Sequence, residues 1–236
     1  MYSFSGVYSI LTGVLLSMHE RVSMAMVYRN FDRAYQTFYN AGFSEANRVQ
    51  NERGLYTGIK LDVTEKVVLN SYFDMFKFPW FHYRVYGPSQ GYEFMLQSTY
   101  KPKRSMELYV RFREQLRERN SIISSGSITN LTPVLQRNYR CNFHCIISQK
   151  IHLKSRIEYV TIDRESNSLE KGMLICQDIL FRSKSSPIDF TFRYALFDTD
   201  SYSSRIYTFE NNALYVFSVP SYYYQGSRAY VLMRWN

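Results

Sequence analysis

Read at alternate positions, the chain separates into two faces again and again. Met106, Leu108, Val110 and Phe112 fall on one side of their run, and Glu107, Tyr109, Arg111 and Arg113 on the other. Ile188, Phe190, Phe192, Tyr194 and Leu196 oppose Asp189, Thr191 and Arg193. Leu55, Ile59, Leu61 and Val63 oppose Tyr56, Lys60 and Asp62. Tyr139, Cys141, Phe143, Cys145 and Ile147 oppose Arg140, Asn142 and His144, while Leu153, Ile157 and Tyr159 oppose Lys154, Arg156 and Glu158. The last run sets Ala229, Val231, Met233 and Trp235 against Arg228, Tyr230 and Arg234. A period of two is the pleat of a β-strand, one face apolar and the other polar. The run Met173–Phe181 is less clean, because Leu174 and Leu180 share the face of Asp178.

The connections alternate in length. Short ones fall at His19–Arg21, Thr64–Lys66, Lys101–Arg104, Ser148–Lys150 and Ser183–Pro187; long ones fall at Phe31–Arg53, Lys77–Gly91, Asn120–Val134 and Arg164–Lys171. This predicts an up-and-down antiparallel meander with one tidy rim and one elaborate rim, the layout of outer-membrane barrels. The expected strands, roughly 9–12 residues, exceed the ~5–6 usual in globular sheets. Together with charge-paired polar faces and aromatics at strand ends, they favour an all-β, antiparallel up-and-down transmembrane β-barrel, or most of one, over a soluble sandwich or lipocalin-like barrel. If the C-terminus ends on the periplasmic side, parity requires a periplasmic turn at Glu210–Ala213 and an outer loop at Tyr224–Ser227. The count is then about 12–13 strands in a single domain over 1–236, the first starting at the outer rim. Bacterial single-chain barrels are even-numbered, so this predicts the C-terminal part of a longer protein. Pro220 falls inside one proposed strand, where its missing N–H breaks a ladder.

Composition supports β structure: aromatics are 17% of 236 residues, led by 22 Tyr and 17 Phe, against 10 Gly and 6 Pro. The net charge of +9, with a pI near 9.4, admits nucleic acid or an anionic membrane surface as partner. No concentrated Lys/Arg tract marks a nucleic-acid arm, however. No window of ~20 apolar residues offers a transmembrane helix. Val7–Met18 is too short for one and lacks the basic flank of a signal peptide, so no signal peptide is read in this sequence. Cys141 and Cys145, four residues apart on one strand, would lie about 13 Å apart at ~3.3 Å per residue, too far for a disulfide. With Cys176 they read as small apolar fillers, and no spacing supports a metal site.

Three stretches carry a recognisable pattern: Val27–Glu45 (VYRNFDRAYQTFYNAGFSE), Phe73–Gln97 (FDMFKFPWFHYRVYGPSQGYEFMLQ) and Phe192–Asn236, which ends in SRAYVLMRWN. Together they resemble a family of outer-membrane β-barrel proteins of the Bacteroidota. Its full-length members look like a signal peptide, a helix-hairpin-helix region and a C-terminal barrel. The resemblance covers only the barrel half, so it implies no nucleic-acid role for this chain. It brings no assigned substrate or catalytic residue. The Trp235–Asn236 ending departs from the Tyr-Lys type commoner in the family.

Candidate chemistry gathers in two places. The loop Phe76–Tyr92 concentrates Trp80, Phe81, His82, Tyr83 and Arg84, and the loop Arg29–Phe43 holds Tyr35, Phe38 and Tyr39. Aromatic and basic groups together stack on sugars or bases and pair with phosphates, or else simply pack over a barrel mouth. Neighbouring long loops on one rim would form one cap. The inward set includes Lys60, Arg111, Arg113, Arg140, Arg156, Arg193 and Arg228, facing Asp62, Asp74, Glu93, Glu107, Glu158, Asp178 and Asp189. It reads either as a cation-rich lumen favouring anions or as cross-strand pairs bracing the wall. Trp235 would anchor the last strand at the membrane interface.

No catalytic residue, metal site or cofactor is expected. The sequence Gly87–Gly91 (GPSQG) lies between strands, where a nucleophile elbow needs a strand-to-helix turn. The function expected is an outer-membrane pore or transport protein of unassigned substrate. The alternatives are a docking barrel with a filled lumen and partner-binding outer loops and, least favoured, a soluble ligand-binding barrel. The partners that follow are outer-membrane lipid, the barrel-assembly machinery, and an unidentified protein or anionic solute.

Overall fold

The computed structural model describes residues 7, 9–36, 42–121, 130–164, 169–182, 187–213 and 215–235. The strands are β1 (Ser9–His19), β2 (Val22–Phe31), β3 (Glu52–Thr64), β4 (Val67–Phe78), β5 (Ser89–Lys103), β6 (Met106–Asn120), β7 (Leu131–Ile146), β8 (Ile151–Arg164), β9 (Glu170–Phe181), β10 (Ile188–Thr199), β11 (Ile206–Tyr207), β12 (Ser221–Tyr222) and β13 (Gln225–Trp235). Eleven of them form one antiparallel sheet, each pairing with the next from β1 to β10 and β10 with β13. Four of the five expected short turns, at His19–Arg21, Thr64–Lys66, Lys101–Arg104 and Ser148–Lys150, are present, and the fifth, Ser183–Pro187, lies almost wholly outside the described residues. The four share one rim, and bulges at Ser17/His19, Asp62/Thr64 and Tyr100/Lys103 sit beside three of them. The extra residue of a bulge sharpens twist where a strand meets its turn.

Ladder register carries the sequence alternation across the whole sheet. Arg113 on β6 stands opposite Met95 on β5 and Asn138 on β7, and Arg193 on β10 opposite Asp178 and Tyr230. The other face presents Val14, Met26, Ile59, Phe73, Leu96, Val110, Tyr139, Ile157, Ile175, Phe192 and Val231, one large exposed apolar residue from each of the eleven strands. On that face Phe94, Phe112, Tyr139 and Tyr159 form an aromatic row across β5–β8, with successive ring centroids 6.2, 5.2 and 6.3 Å apart. The apolar run on β10, Ile188 to Leu196, is about 26 Å long at ~3.3 Å per residue.

The end of the chain differs from the expectation of 12–13 spanning strands. Between β10 and β13 the chain makes no further span. Residues 200–224 fold back over the polar face, which is thereby the inner one, and contribute only the two-residue pair β11–β12. Glu210–Ala213 does lie where the chain reverses, between Glu210 and its bridge partner Ser218 and near Arg182, Asp189 and Arg234 of the short-turn rim. It is the tip of an internal hairpin, however, and not a turn between two spanning strands. Most of Tyr224–Ser227 belongs to β13, which begins at Gln225. Pro220 lies in this segment, outside any strand, where its missing N–H costs nothing.

The inserted segment also accounts for the untidy pattern of β9. Ile206 and Tyr222 pack with Val160, Ile162, Leu174, Cys176 and Ala195 into a buried cluster on the inner face. Leu174 is fully buried there. A Cβ on Gly172 would come within 2.4 Å of the Ser204 carbonyl oxygen, so glycine is what lets the incoming backbone settle against β9.

β1 and β13 both run from the long-loop rim to the short-turn rim. Their outer edges have no strand partner among the described residues, and the sheet is not closed.

Leu174→Ala is expected to lower stability by about 2–5 kcal/mol, because the cluster cannot collapse onto a rigid sheet. Urea denaturation checks this, and limited proteolysis within 200–224 should become faster in the same variant.

Candidate functional site

The inner wall is a set of ion pairs spaced along the sheet. Near the long-loop rim, Arg29 pairs with Glu52 and, at 2.8 Å, with Asp74; Arg29 and Glu52 are both fully buried. Glu52 also accepts from Ser44 Oγ at 2.6 Å and from the backbone N–H of Glu45 at 3.0 Å and of Ala46 at 3.2 Å. This one carboxylate thus holds both a strand arginine and the returning β2–β3 loop. A Cβ on Gly54 would meet Arg29 Cζ at 2.5 Å, so the guanidinium lies flat across the wall over a residue without a side chain. Arg29 therefore belongs to β2 and not to the loop in which the sequence reading placed it. The alternation Ala25, Val27, Arg29, Phe31, with Gly54 opposite Arg29, was the available signal.

Farther round, Arg113 makes a two-pronged contact with Glu93, which also accepts from Tyr72 and Gln115. Arg140 grips Glu158 through two bonds of 3.0 and 2.9 Å. Arg111 donates to Gln97 at 2.7 Å, and Lys60 pairs with Asp62 at 3.2 Å near the short-turn rim. Lys60, Arg111, Arg113, Arg140, Arg156, Arg193 and Arg228 share the face of the sheet over which the segment after β10 folds. Bidentate pairing explains how buried charges are tolerated, since each carboxylate keeps its lone pairs occupied.

Three of the seven hold the inserted segment. Arg156 bonds Thr208 Oγ1 at 2.8 Å and the Tyr207 carbonyl at 2.9 Å. Arg193, paired with Asp178, donates to the Phe209 carbonyl. Arg228 reaches Glu210 at 2.9 Å, and Glu210 also accepts from Tyr222 Oη at 2.6 Å. Thr208, Glu210 and Tyr222 were not anticipated as packed against the inner wall, because the buried positions Ile206, Thr208 and Glu210 alternate with exposed Tyr207 and Phe209, the reverse of the apolar-in pattern of a packed strand.

At the long-loop rim, the β2–β3 and β4–β5 loops meet. Asn51 donates to the carbonyls of Trp80 at 2.8 Å and Phe81 at 3.2 Å and accepts from the Trp80 N–H at 3.0 Å. Arg33 lies over the Trp80 ring at 5.1 Å. On the far side, Asn120 ties down the Arg84 carbonyl and the Tyr86 N–H, both at 3.0 Å. Tyr35 is buried against Phe31 and Val49 and so is a packing residue, not an exposed binding group. The His82 ring lies 4.2 Å from that of Phe78. Burial, then the nearby Arg119, hold its imidazole below the usual range. Arg84, at a φ of 61°, lies over the Tyr83 ring, and Tyr83 remains largely exposed. Phe38 and Tyr39 lie outside the described residues. Trp235 is exposed on the outer face at the end of β13.

Among the described residues no cluster of His, Cys, Asp and Glu is arranged to hold a metal, and no helix is long and apolar enough to cross a membrane.

The chain has the fold of outer-membrane β-barrels. The outer membrane channel DcaP of Acinetobacter baumannii is similar over 94% of this chain and 60% of its own, with a TM-score of 0.60 and 10% identity. OmpT, an outer membrane protein of Vibrio cholerae folded in vitro, is similar over 95% of this chain and 63% of its own, with a TM-score of 0.58 and 9% identity. The chain thus spans less than two thirds of the length of these solved structures. No family model and no curated protein sequence matches it.

Glu52→Gln is expected to cost about 3–5 kcal/mol, because it leaves the buried Arg29 with Asp74 alone. Lys60→Gln, at an exposed pair, should cost under about 1 kcal/mol. Equilibrium unfolding of the two variants side by side measures the difference.

Proposed function

We propose that this chain forms the wall of an outer-membrane pore whose path is narrowed by residues 200–224 and whose lining favours anions. One observation carries the membrane reading. All eleven strands of the sheet leave large apolar side chains exposed on the outer face, while the ion pairs lie on the inner face, apart from Arg137–Glu114, which stands beside the aromatic row on the outer face. A water-facing protein has no use for a continuous apolar exterior of this extent. In lipid it is the expected surface, and a strand wall is one of two architectures that satisfy backbone groups there. The aromatic row over β5–β8 matches an interfacial girdle, and Trp235 serves as an anchor at the opposite interface. Anion preference follows from the inner face, where arginines and lysines outnumber carboxylates.

The chain is read as the C-terminal barrel portion of a longer protein, consistent with the Bacteroidota family it resembles. β1 and β13 run the same way, so an all-antiparallel closure needs an odd number of further strands between them. The barrel-assembly machinery and membrane lipid are its partners in this reading.

A filled docking barrel is the second reading, favoured by the Arg156, Arg193 and Arg228 contacts that fix the inserted segment in the interior. Planar-bilayer recordings separate the two. A pore gives discrete conductance steps and a reversal potential displaced toward chloride in a salt gradient. Replacing residues 203–222 by a short Gly-Ser linker should raise the conductance. Silence across salts and voltages favours the filled barrel, and unchanged conductance after replacement shows that the segment does not restrict the path.

The membrane reading also makes a local prediction. Val231→Arg on the outer face should destabilise by about 2–4 kcal/mol, whereas Arg228→Gln, half-exposed on the inner face, should cost under about 1 kcal/mol. Urea-dependent folding into lipid vesicles measures both, and equal effects would refute the face assignment.

A further inference from the structure

At the long-loop rim a cavity of about 810 Å³ opens between the returning β2–β3 loop, the β4–β5 loop and the end of β6. Its two sides differ in chemistry. One carries Phe78, Phe81 and Tyr83, with His82 stacked on Phe78. The other carries Arg117 and Arg119 from successive inward positions of β6. Ladder register extends the basic side beyond the cavity: Arg117 faces Val134 on β7, and Val134 faces Arg164 on β8. The inserted segment adds Arg205, anchored next to that row because Arg164 donates to Ser203 Oγ at 3.0 Å.

This group differs from every other set of arginines on the inner wall. Arg117 pairs with Glu45. Among the described residues, no carboxylate lies within ion-pair distance of Arg119, Arg164 or Arg205. Arg205 spends its donors on the Tyr207 hydroxyl and, at 2.7 Å, on the Tyr202 carbonyl. The Nε atoms of Arg117 and Arg164 are buried without a hydrogen-bond partner. Deeper in the barrel Arg111, Arg113, Arg140, Arg156 and Arg193 each have a carboxylate, an amide or a carbonyl. At the mouth, Arg119 has no hydrogen-bond partner among the described residues, and Arg117 and Arg164 each keep an unspent Nε–H, while Arg205 is held in place by Tyr202 and Tyr207. Like charges held together raise one another's energy, and a multivalent oxyanion relieves that repulsion through charge-assisted bonds.

We propose that this mouth binds organic phosphates of the nucleoside diphosphate class, with the phosphates on Arg119, Arg164 and Arg205 and the planar ring against Phe81 and Tyr83. Rings of this kind stack on aromatic side chains with little sequence or base preference. The proposal rests on the reading that the long-loop rim is the solvent-facing mouth of a pore.

Calorimetric titration of the detergent-solubilised protein with ADP, pyrophosphate and adenosine tests it without a bilayer. ADP is expected to bind with a Kd of roughly 1 mM or below, pyrophosphate more weakly and adenosine not measurably. Arg119→Gln combined with Arg205→Gln should weaken ADP by roughly tenfold or more. Among the described residues neither has an ion pair to lose; because Arg205 also holds the Tyr202 carbonyl and the Tyr207 hydroxyl, Arg119→Gln alone is measured beside the pair and should weaken ADP in the same direction. Phe81→Ala with Tyr83→Ala should reduce ADP binding to the pyrophosphate level, and Lys60→Gln at the opposite rim should leave it unchanged. Absence of ADP binding, equal binding of ADP and pyrophosphate, or indifference to the arginine pair overturns the proposal. Binding by a protein that is silent in bilayers supports this site and removes the pore; conductance without ADP binding does the reverse.

Discussion

From β2 to β10 the backbone N–H and C=O groups of this wall find their partners in the neighbouring strands, and the rest of the structure depends on that ladder. In a medium without water an unpaired peptide group costs several kcal/mol, so the strands must stay in register along their full length. Register in turn fixes faces, because a slip of one residue would send every inward arginine outward. The alternation seen in β6, β8 and β10 is therefore a condition on the whole sheet. It places Arg113 beside Glu93 and Arg193 beside Asp178 through pairing alone.

Such pairing gives the inner wall its character. Charges removed from water are tolerated when each has a close and geometrically matched partner. Here the partners come from the adjacent strand, as with Arg140 and Glu158, or from two strands at once, as with Arg29 between Glu52 and Asp74. Glycine has a spatial role in this arrangement. Gly54 makes room for the Arg29 guanidinium, and Gly172 makes room for the backbone at Ser204. The same arginine chemistry serves two ends, bracing the wall where carboxylates are supplied and holding the inserted segment where carbonyls and hydroxyls are supplied instead. At the long-loop rim, among the described residues, carboxylates are fewer than the arginines present.

Loops at that rim are held by side-chain amides acting in place of backbone. Asn51 and Asn120 each bridge to an adjacent loop, so the aromatic residues of the β4–β5 connection are displayed from a fixed frame. Tyr35 shows the limit of reading such loops by composition. It carries the same chemistry as Tyr83, yet one is buried against Phe31 and the other is exposed.

Alternation and turn length were enough to read the strands through β10, their order and four of the short turns. These are local properties: a pleat repeats every two residues, and a short turn leaves a strand no neighbour but the next one. Only the tertiary structure decided the fate of residues 200–224. Their position depends on contacts with Val160, Leu174 and Ala195, on Arg156, Arg193 and Arg228, and on the space above Gly172, all distant along the chain. The alternation of Ile206, Thr208 and Glu210 with Tyr207 and Phe209 reads as another strand of the wall, and nothing local says that the segment lies inside instead. Its one trace was in its contact surface, where Leu174 and Leu180 interrupted an otherwise polar face.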